Sequence, residues 1–192
     1  EYNALAAYAG VLSLEVVLEI VYVRGLTMDR LVERDAAGYS RYGLGALRPH
    51  RMGMRADEVE DYVAGIAATS GEFLEVVNYN VAGRQYAIAG TTAGLRAVEA
   101  AAEHRAPGAR AFVSIPGVDV PFHSSRLVAG VDDFRAHLDE LIPQEIDLSV
   151  LVGRYVPNLV ARPFALDRGF VEAIAAVVDS PRIAGILADF DA

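Results

Sequence analysis

Phe73-Leu74-Glu75-Val76-Val77-Asn78-Tyr79 and Arg84-Gln85-Tyr86-Ala87-Ile88-Ala89 flank the four residues Asn80-Val81-Ala82-Gly83. Two strand-like runs joined by Asn- and Gly-containing turn residues predict a β-hairpin. Its setting follows from the neighbours on each side. Asp57 to Ala68 has helical spacing, with Val59, Tyr62, Val63 and Ile66 on one face. Asp57, Glu58 and Glu60 lie near its start, where the helix dipole favours acids. Thr91 to Arg105 is an Ala-rich helix that Pro107-Gly108 ends. Further out, Gly43-Leu44-Gly45-Ala46-Leu47 and Ala111 to Ile115 read as short strands.

The order from residue 43 to residue 115 is therefore β-α-β-β-α-β, the signature of a ferredoxin-like unit. Residues 2–9 and 14–36 carry helix-period apolar positions, with Gly10 between them and Gly38 as a stop. Ser125 to Leu141 reads as one amphipathic helix with Leu127, Val128, Val131, Phe134 and Leu138 inward. Val150-Leu151 and Tyr155 to Leu159 are short strands or loops, and Phe170 to Val178 and Pro181 to Phe190 are helices. The expected fold class is α/β: a β-rich subdomain over 41–119 inserted in a body made of 1–40 and 120–192.

Composition narrows the function classes. The 192 residues suffice for one domain with a small insertion, and 53% hydrophobic content allows a substantial core. The richest apolar run, Val11 to Val23, is cut by Glu15 and Glu19 and followed by Arg24, so it predicts a buried helix rather than a membrane span. A net charge of −9 argues against general nucleic-acid binding, which needs a basic face. The absence of cysteine excludes disulfides and thiolate metal sites, and a cytoplasmic location is expected. All seventeen basic residues are Arg, which GC-rich coding explains. The chain opens on Glu1-Tyr2-Asn3-Ala4-Leu5-Ala6-Ala7-Tyr8 with no N-cap or leader ahead of a helical pattern, so an internal piece of a longer polypeptide is expected.

Val120-Pro121-Phe122-His123-Ser124-Ser125 holds the candidate for acid–base chemistry. The His123 imidazole is of the kind that can take a proton from a hydroxyl or thiol. Arg24 is the second candidate, in Tyr22-Val23-Arg24-Gly25-Leu26-Thr27-Met28. A guanidinium in an apolar stretch calls for an anion. Either an internal acid or a substrate carboxylate held in a bidentate fork would serve. No Gly-x-Ser-x-Gly turn occurs to supply a nucleophile. Ser124 suits a helix cap. Asn158 after Pro157 suits a turn. Asn78 and Asn80 read as hairpin residues, and His50, His104 and His137 as surface residues. Asp57-Glu58, Glu60-Asp61 and Asp132-Asp133 have no His at ligand spacing, so no metal site is expected.

Five ordered segments resemble the malonyl-CoA:acyl-carrier-protein acyltransferase family. Glu1 to Ala7 is similar to the helix that follows the family's Gly-His-Ser-x-Gly turn, and Tyr22 to Met28 to the helix bearing its malonyl-binding arginine. Val76-Val77-Asn78-Tyr79-Asn80 to Gly90 resembles the hairpin of its ferredoxin-like subdomain, and Pro121-Phe122-His123-Ser124 the segment with its catalytic histidine. Tyr155-Val156-Pro157-Asn158-Leu159-Val160-Ala161-Arg162-Pro163-Phe164 is similar to the malonyl/palmitoyl transferase domain of type I fatty acid synthases of fungi and actinobacteria.

The resemblance implies part of an α/β-hydrolase-like acyltransferase body carrying the ferredoxin-like insert. It implies a ping-pong transfer of malonyl, and in this branch of long acyl chains, between CoA and an acyl carrier protein. His123 would be the base and Arg24 the carboxylate clamp. Phe122 would fit the malonyl-type pattern, and Asn158 would lie near the active-site wall. The nucleophilic serine is expected before residue 1 and a glutamine-bearing strand after Ala192, so residues 1–192 by themselves are expected to be inactive. CoA thioesters and carrier phosphopantetheine would be substrates, with no resident cofactor. The partners implied are the carrier protein and the other domains of a homo-oligomeric synthase, without nucleic acid or membrane. The alternatives are a polyketide-synthase or discrete acyltransferase, or a non-catalytic ferredoxin-like interaction module. In the last case Arg24 and His123 would point to different surfaces.

Overall fold

The computed structural model describes residues 6–190. In chain order the elements are α1 (Leu14–Arg30), β1 (Tyr42–Leu47), α2 (Val59–Ser70), β2 (Leu74–Val81), β3 (Gln85–Thr91), α3 (Thr92–Arg105), β4 (Phe112–Ile115), α4 (Val131–Leu141), α5 (Arg168–Ala175) and α6 (Pro181–Asp189). Short 3₁₀ turns occupy Pro49–Met52, Ala56–Glu58, Ser125–Gly130 and Ser149–Leu151. The residues group into two compact units, one over Tyr22–His137 and one made of those up to Val21 and from Leu138 onward. Of the opening helix predicted over 2–9, residues 6–8 are helical and 2–5 lie outside the described residues.

In the Tyr22–His137 unit, four antiparallel strands stand in the order β2-β3-β1-β4. Register is fixed by Leu47 opposite Tyr86 on one side and Phe112 on the other. With α2 and α3 as crossovers, the observed order is the predicted β-α-β-β-α-β. Alternation along each strand sends Leu47, Tyr86 and Ile88 into one cluster with Val59 and Val63 of α2 and Val98 of α3. Ile88, Val59 and Val98 are fully buried. Each such side chain contributes about 1.5–3 kcal/mol on leaving water.

Local signals set the element ends. The Arg55 N–H donates to Glu58 Oε2 at 2.7 Å before α2. Gly71, at φ +70°, closes α2 by donating to the Ala67 carbonyl. Thr91 Oγ1 accepts from the Gly94 N–H at 3.0 Å to cap α3. The hairpin turn lies one step later than predicted. β2 runs through Asn80 to Val81, and the Arg84 N–H donates to the Val81 carbonyl across Ala82-Gly83. Gly83 adopts φ +69°, which a Cβ disfavours.

At the outer end of β2 the Tyr79 hydroxyl donates to the Glu60 carboxylate of α2. That hydrogen bond, with desolvation second, holds the phenol in its neutral form and pushes its pKa up to about 12. The folded pKa lies above the unfolded value of about 10. The bond therefore stabilises the fold fully below that value and is lost as pH rises through about 12. A near-ultraviolet phenolate titration is expected to show one tyrosine ionising at about 12, and Glu60→Ala to return it towards about 10. An unchanged titration in Glu60→Ala would remove this account.

Two helical expectations are corrected. The pattern over 14–36 predicts a longer, buried helix, but α1 stops at Arg30. Arg34 explains the stop. Its guanidinium donates to Asp29 Oδ1, to the Gly38 carbonyl and to Asp119, folding 31–40 back as a loop with an Arg34–Ser40 bridge. On α1 only Val17 and Ile20 are buried, while Leu14 and Leu18 are 59% and 60% exposed. Likewise 125–141 is not one helix with an inward face. It is a 3₁₀ turn followed by α4, no α4 residue is buried, and Val128 is 63% exposed.

In the other unit, Asp167 Oδ1 caps α5 by accepting from the Phe170 N–H at 2.8 Å. Buried Phe170 packs edge-on against Phe164, 5.1 Å between centroids. Phe164 and Tyr155 hold 153–164 together through the Gly153-to-Phe164 and Phe164-to-Tyr155 backbone bonds. Val150-Leu151 belongs to a 3₁₀ turn, and 155–159 is loop and turn rather than strand. No helix among the described residues is long and apolar enough to cross a membrane.

Candidate functional site

The Val120-to-Ser125 segment ends in a tight turn. The Ser124 N–H donates to the Pro121 carbonyl at 3.2 Å, placing His123 at the third position with φ +63°. That position favours glycine. A residue bearing a Cβ there costs about 1–2 kcal/mol. His123 is exposed.

Ser124 is buried, and its Oγ donates to the Pro121 carbonyl at 2.6 Å. It stands at the N-cap of the 3₁₀ turn but makes no side-chain cap bond, which corrects the predicted capping role. Glu75 of β2 supplies the cap instead, accepting from the Ser125 N–H at 2.9 Å and the Ser125 hydroxyl at 2.8 Å.

Arg24 lies on α1 and is exposed. Among the described residues it makes no hydrogen bond and no ion pair, so the internal-acid alternative has no partner there. Arg24 and His123 line one pocket of about 260 Å³. Its walls are apolar, with Met28, Leu31, Leu127 and Phe134 among them. Leu127, Val128, Val131 and Phe134, read from the sequence as an inward core face, line this pocket. Gly130 lets the two walls meet. A Cβ there would stand 2.6 Å from Leu31 Cδ1 and 2.8 Å from Thr27 Cγ2. A glycine interrupting the predicted helix was the available signal for this close approach.

The pocket hydroxyls are committed elsewhere: Thr27 Oγ1 donates to the Val23 carbonyl at 2.9 Å, and Ser124 Oγ to Pro121. A guanidinium with no partner among the described residues, at an apolar-walled pocket, can hold a carboxylate, and an imidazole lining the same pocket can accept a proton. Ahead of His123, Asp119 is bonded to Arg34 at 2.5 Å, and this bond holds its carboxyl below the usual range.

The other candidates are placed as follows. Phe122 is half-buried directly before His123. Asn158 belongs to the other unit, exposed on a turn closed by the Ala161 N–H donating to the Pro157 carbonyl at 2.9 Å. His50, His104 and His137 are exposed, as expected of surface residues.

No known protein-family profile matches the chain. Whole-chain sequence relatives do exist. Fatty acid synthase 2 of Mycosarcoma maydis is 35% identical over all of this chain, which covers 6% of that protein. The fatty acid synthase beta subunit of Cochliobolus carbonum is 35% identical, with all of this chain and 11% of the relative aligned. The chain is a homologue of fungal fatty acid synthase beta subunits. This beta-subunit homologue spans about a tenth of the length of the curated relatives it matches.

Its fold is shared by solved transferases. An acyl-carrier-protein S-malonyltransferase from Burkholderia pseudomallei aligns with TM-score 0.59 and 25% identity, over 91% of the homologue and 50% of that chain. The malonyl CoA-acyl carrier protein transacylase of Coxiella burnetii aligns with TM-score 0.62 and 21% identity, over 96% and 60%.

Proposed function

We propose that the chain is the base-and-clamp part of a malonyl acyltransferase within a fatty acid synthase, moving malonyl between CoA and an acyl carrier protein. The observation carrying this reading is that Arg24, a guanidinium without a partner among the described residues, and an exposed imidazole, His123, line the same apolar-walled pocket. A non-catalytic module would have separated them. The β-α-β-β-α-β sheet unit is the ferredoxin-like subdomain inserted in the acyltransferase body, a reading supported by its strand order.

His123 takes the proton of a serine hydroxyl supplied from outside residues 1–192. The serine oxygen attacks the malonyl thioester carbonyl, the C–S bond breaks, and His123 returns the proton to the CoA thiolate. Arg24 holds the malonyl carboxylate through the ester-bound stage. A carrier phosphopantetheine thiol then gives its proton to His123 and attacks the ester carbonyl; the bond from the acyl carbon to the serine oxygen breaks, and His123 returns the proton to that oxygen. CoA and phosphopantetheine act here as substrates, and no resident cofactor enters. Phe122, directly before the base, limits the space beside the malonyl carbon. Long-chain acyl groups are the second substrate class, and the synthase is a homo-oligomer.

Arg24→Ala in the full natural polypeptide tests the clamp. Loss of a charge-assisted fork is expected to lower malonyl loading about 10- to 100-fold while acetyl loading stays near wild type. Equal losses for the two acyl groups would make Arg24 a structural residue and overturn the reading.

A further inference from the structure

The left-handed conformation of His123 needs support from both sides. We infer that Glu75 is a positioning residue for His123: the β2 carboxylate tethers the backbone two residues after the histidine, at Ser125, and a second tether, Arg34–Asp119, holds it four residues before. This inference rests on His123 acting as the base.

Alternation along β2 sends Leu74 and Val76 towards the helix-covered core, leaving Glu75 on the other face. There its Oε2 receives both the Ser125 N–H and the Ser125 hydroxyl, the first free donors after the turn. The neighbouring residues repeat the contact. The Arg126 guanidinium stands 4.5 Å from the centroid of the Phe73 ring, one residue further along the turn and two back along the strand edge.

On the other side of His123, Arg34 donates to Asp119 at 2.5 Å and to Asp29 of α1 at 2.6 Å. One guanidinium thereby joins the loop bearing His123 to the helix bearing Arg24. With Ser124 Oγ turned inward to Pro121, nothing on the segment itself caps the Ser125 N–H. Glu75 therefore sets where the imidazole stands, without touching substrate.

The experiment compares Glu75→Ala, Glu75→Gln, Ser125→Ala and His123→Ala in the full natural polypeptide, reading kcat and KM for malonyl transfer and amide hydrogen exchange over 119–127. Glu75→Ala is expected to speed exchange in that segment and to lower kcat about 10- to 100-fold, because small misplacement of a reacting group has that scale. KM for malonyl-CoA should stay near wild type, since Arg24 is untouched. Glu75→Gln keeps the accepting oxygen and should restore most of kcat and the slow exchange. Ser125→Ala keeps one of the two bonds, folds on the same backbone, and should give a smaller loss of kcat than Glu75→Ala.

Wild-type exchange and kcat in both Glu75→Ala and Ser125→Ala, with His123→Ala inactive, would overturn the tether alone. A Glu75→Gln variant as impaired as Glu75→Ala would also overturn it, since charge rather than the accepting oxygen would then matter. A fully active His123→Ala would instead overturn the base assignment, and with it any positioning role for Glu75.

Discussion

Malonyl transfer from CoA to the carrier thiol is expected to fall at least about a thousandfold when His123 becomes alanine, because in the proposed mechanism both half-reactions route their proton through this imidazole. The measurement is the initial rate of carrier malonylation, followed by mass spectrometry, in the full natural polypeptide. His123 sits at φ +63°, so alanine alone would confound loss of the base with a change in turn conformation. His123→Asn separates the two. Asparagine tolerates the left-handed region better than most residues and cannot act as a base at neutral pH. The asparagine variant should therefore be as inactive as the alanine variant. Recovery of a large part of the rate in His123→Asn would mean that the residue serves the turn, and the proton would then need another acceptor.

The contrast between legible and illegible parts of this molecule follows the range of the interactions. The β-α-β-β-α-β order, the helix over 91–105 and the start of α6 at Pro181 come from residues within a few positions of one another, so periodicity and turn chemistry reveal them, although the predicted 170–178 helix runs over Arg168–Ala175. The end of α1 does not, because Arg34 reaches Asp119, 85 positions away, to fold the chain back. The 3₁₀ turn that replaces the first part of the predicted 125–141 helix is likewise met by Glu75, 50 positions before Ser125, and by Leu31 and Thr27 at Gly130. The same distance rule applies to the site. Residue type and context mark His123 and Arg24 as candidates, and the pocket they share depends on the fold. The residues that place the histidine, Glu75 and Arg34, look on their own like a strand carboxylate and a surface arginine.

Gly45 offers the sharpest test of the packing within the sheet unit. A glycine in the central strand β1 weakens strand propensity, so its presence needs a cause. The cause is Phe112 of the neighbouring strand β4. A Cβ built on Gly45 would fall 2.0 Å from Phe112 Cζ and 2.5 Å from Cε2, far inside contact distance. Phe112 is 5% exposed and packed into the core cluster, so the ring cannot swing out into solvent without leaving a hole.

Gly45→Ala is thus expected to cost about 1–3 kcal/mol of stability, as overpacking does. Phe112→Ala should cost about 3–5 kcal/mol through lost burial and a cavity. The double variant is expected to lose little more than Phe112→Ala alone, because the added methyl then meets vacated space rather than a ring. The coupling between the two positions should accordingly reach about 1–3 kcal/mol in a double-mutant cycle read by urea denaturation. Strictly additive losses would mean that the ring yields to the methyl, and that Gly45 is required by the strand backbone instead of by its neighbour.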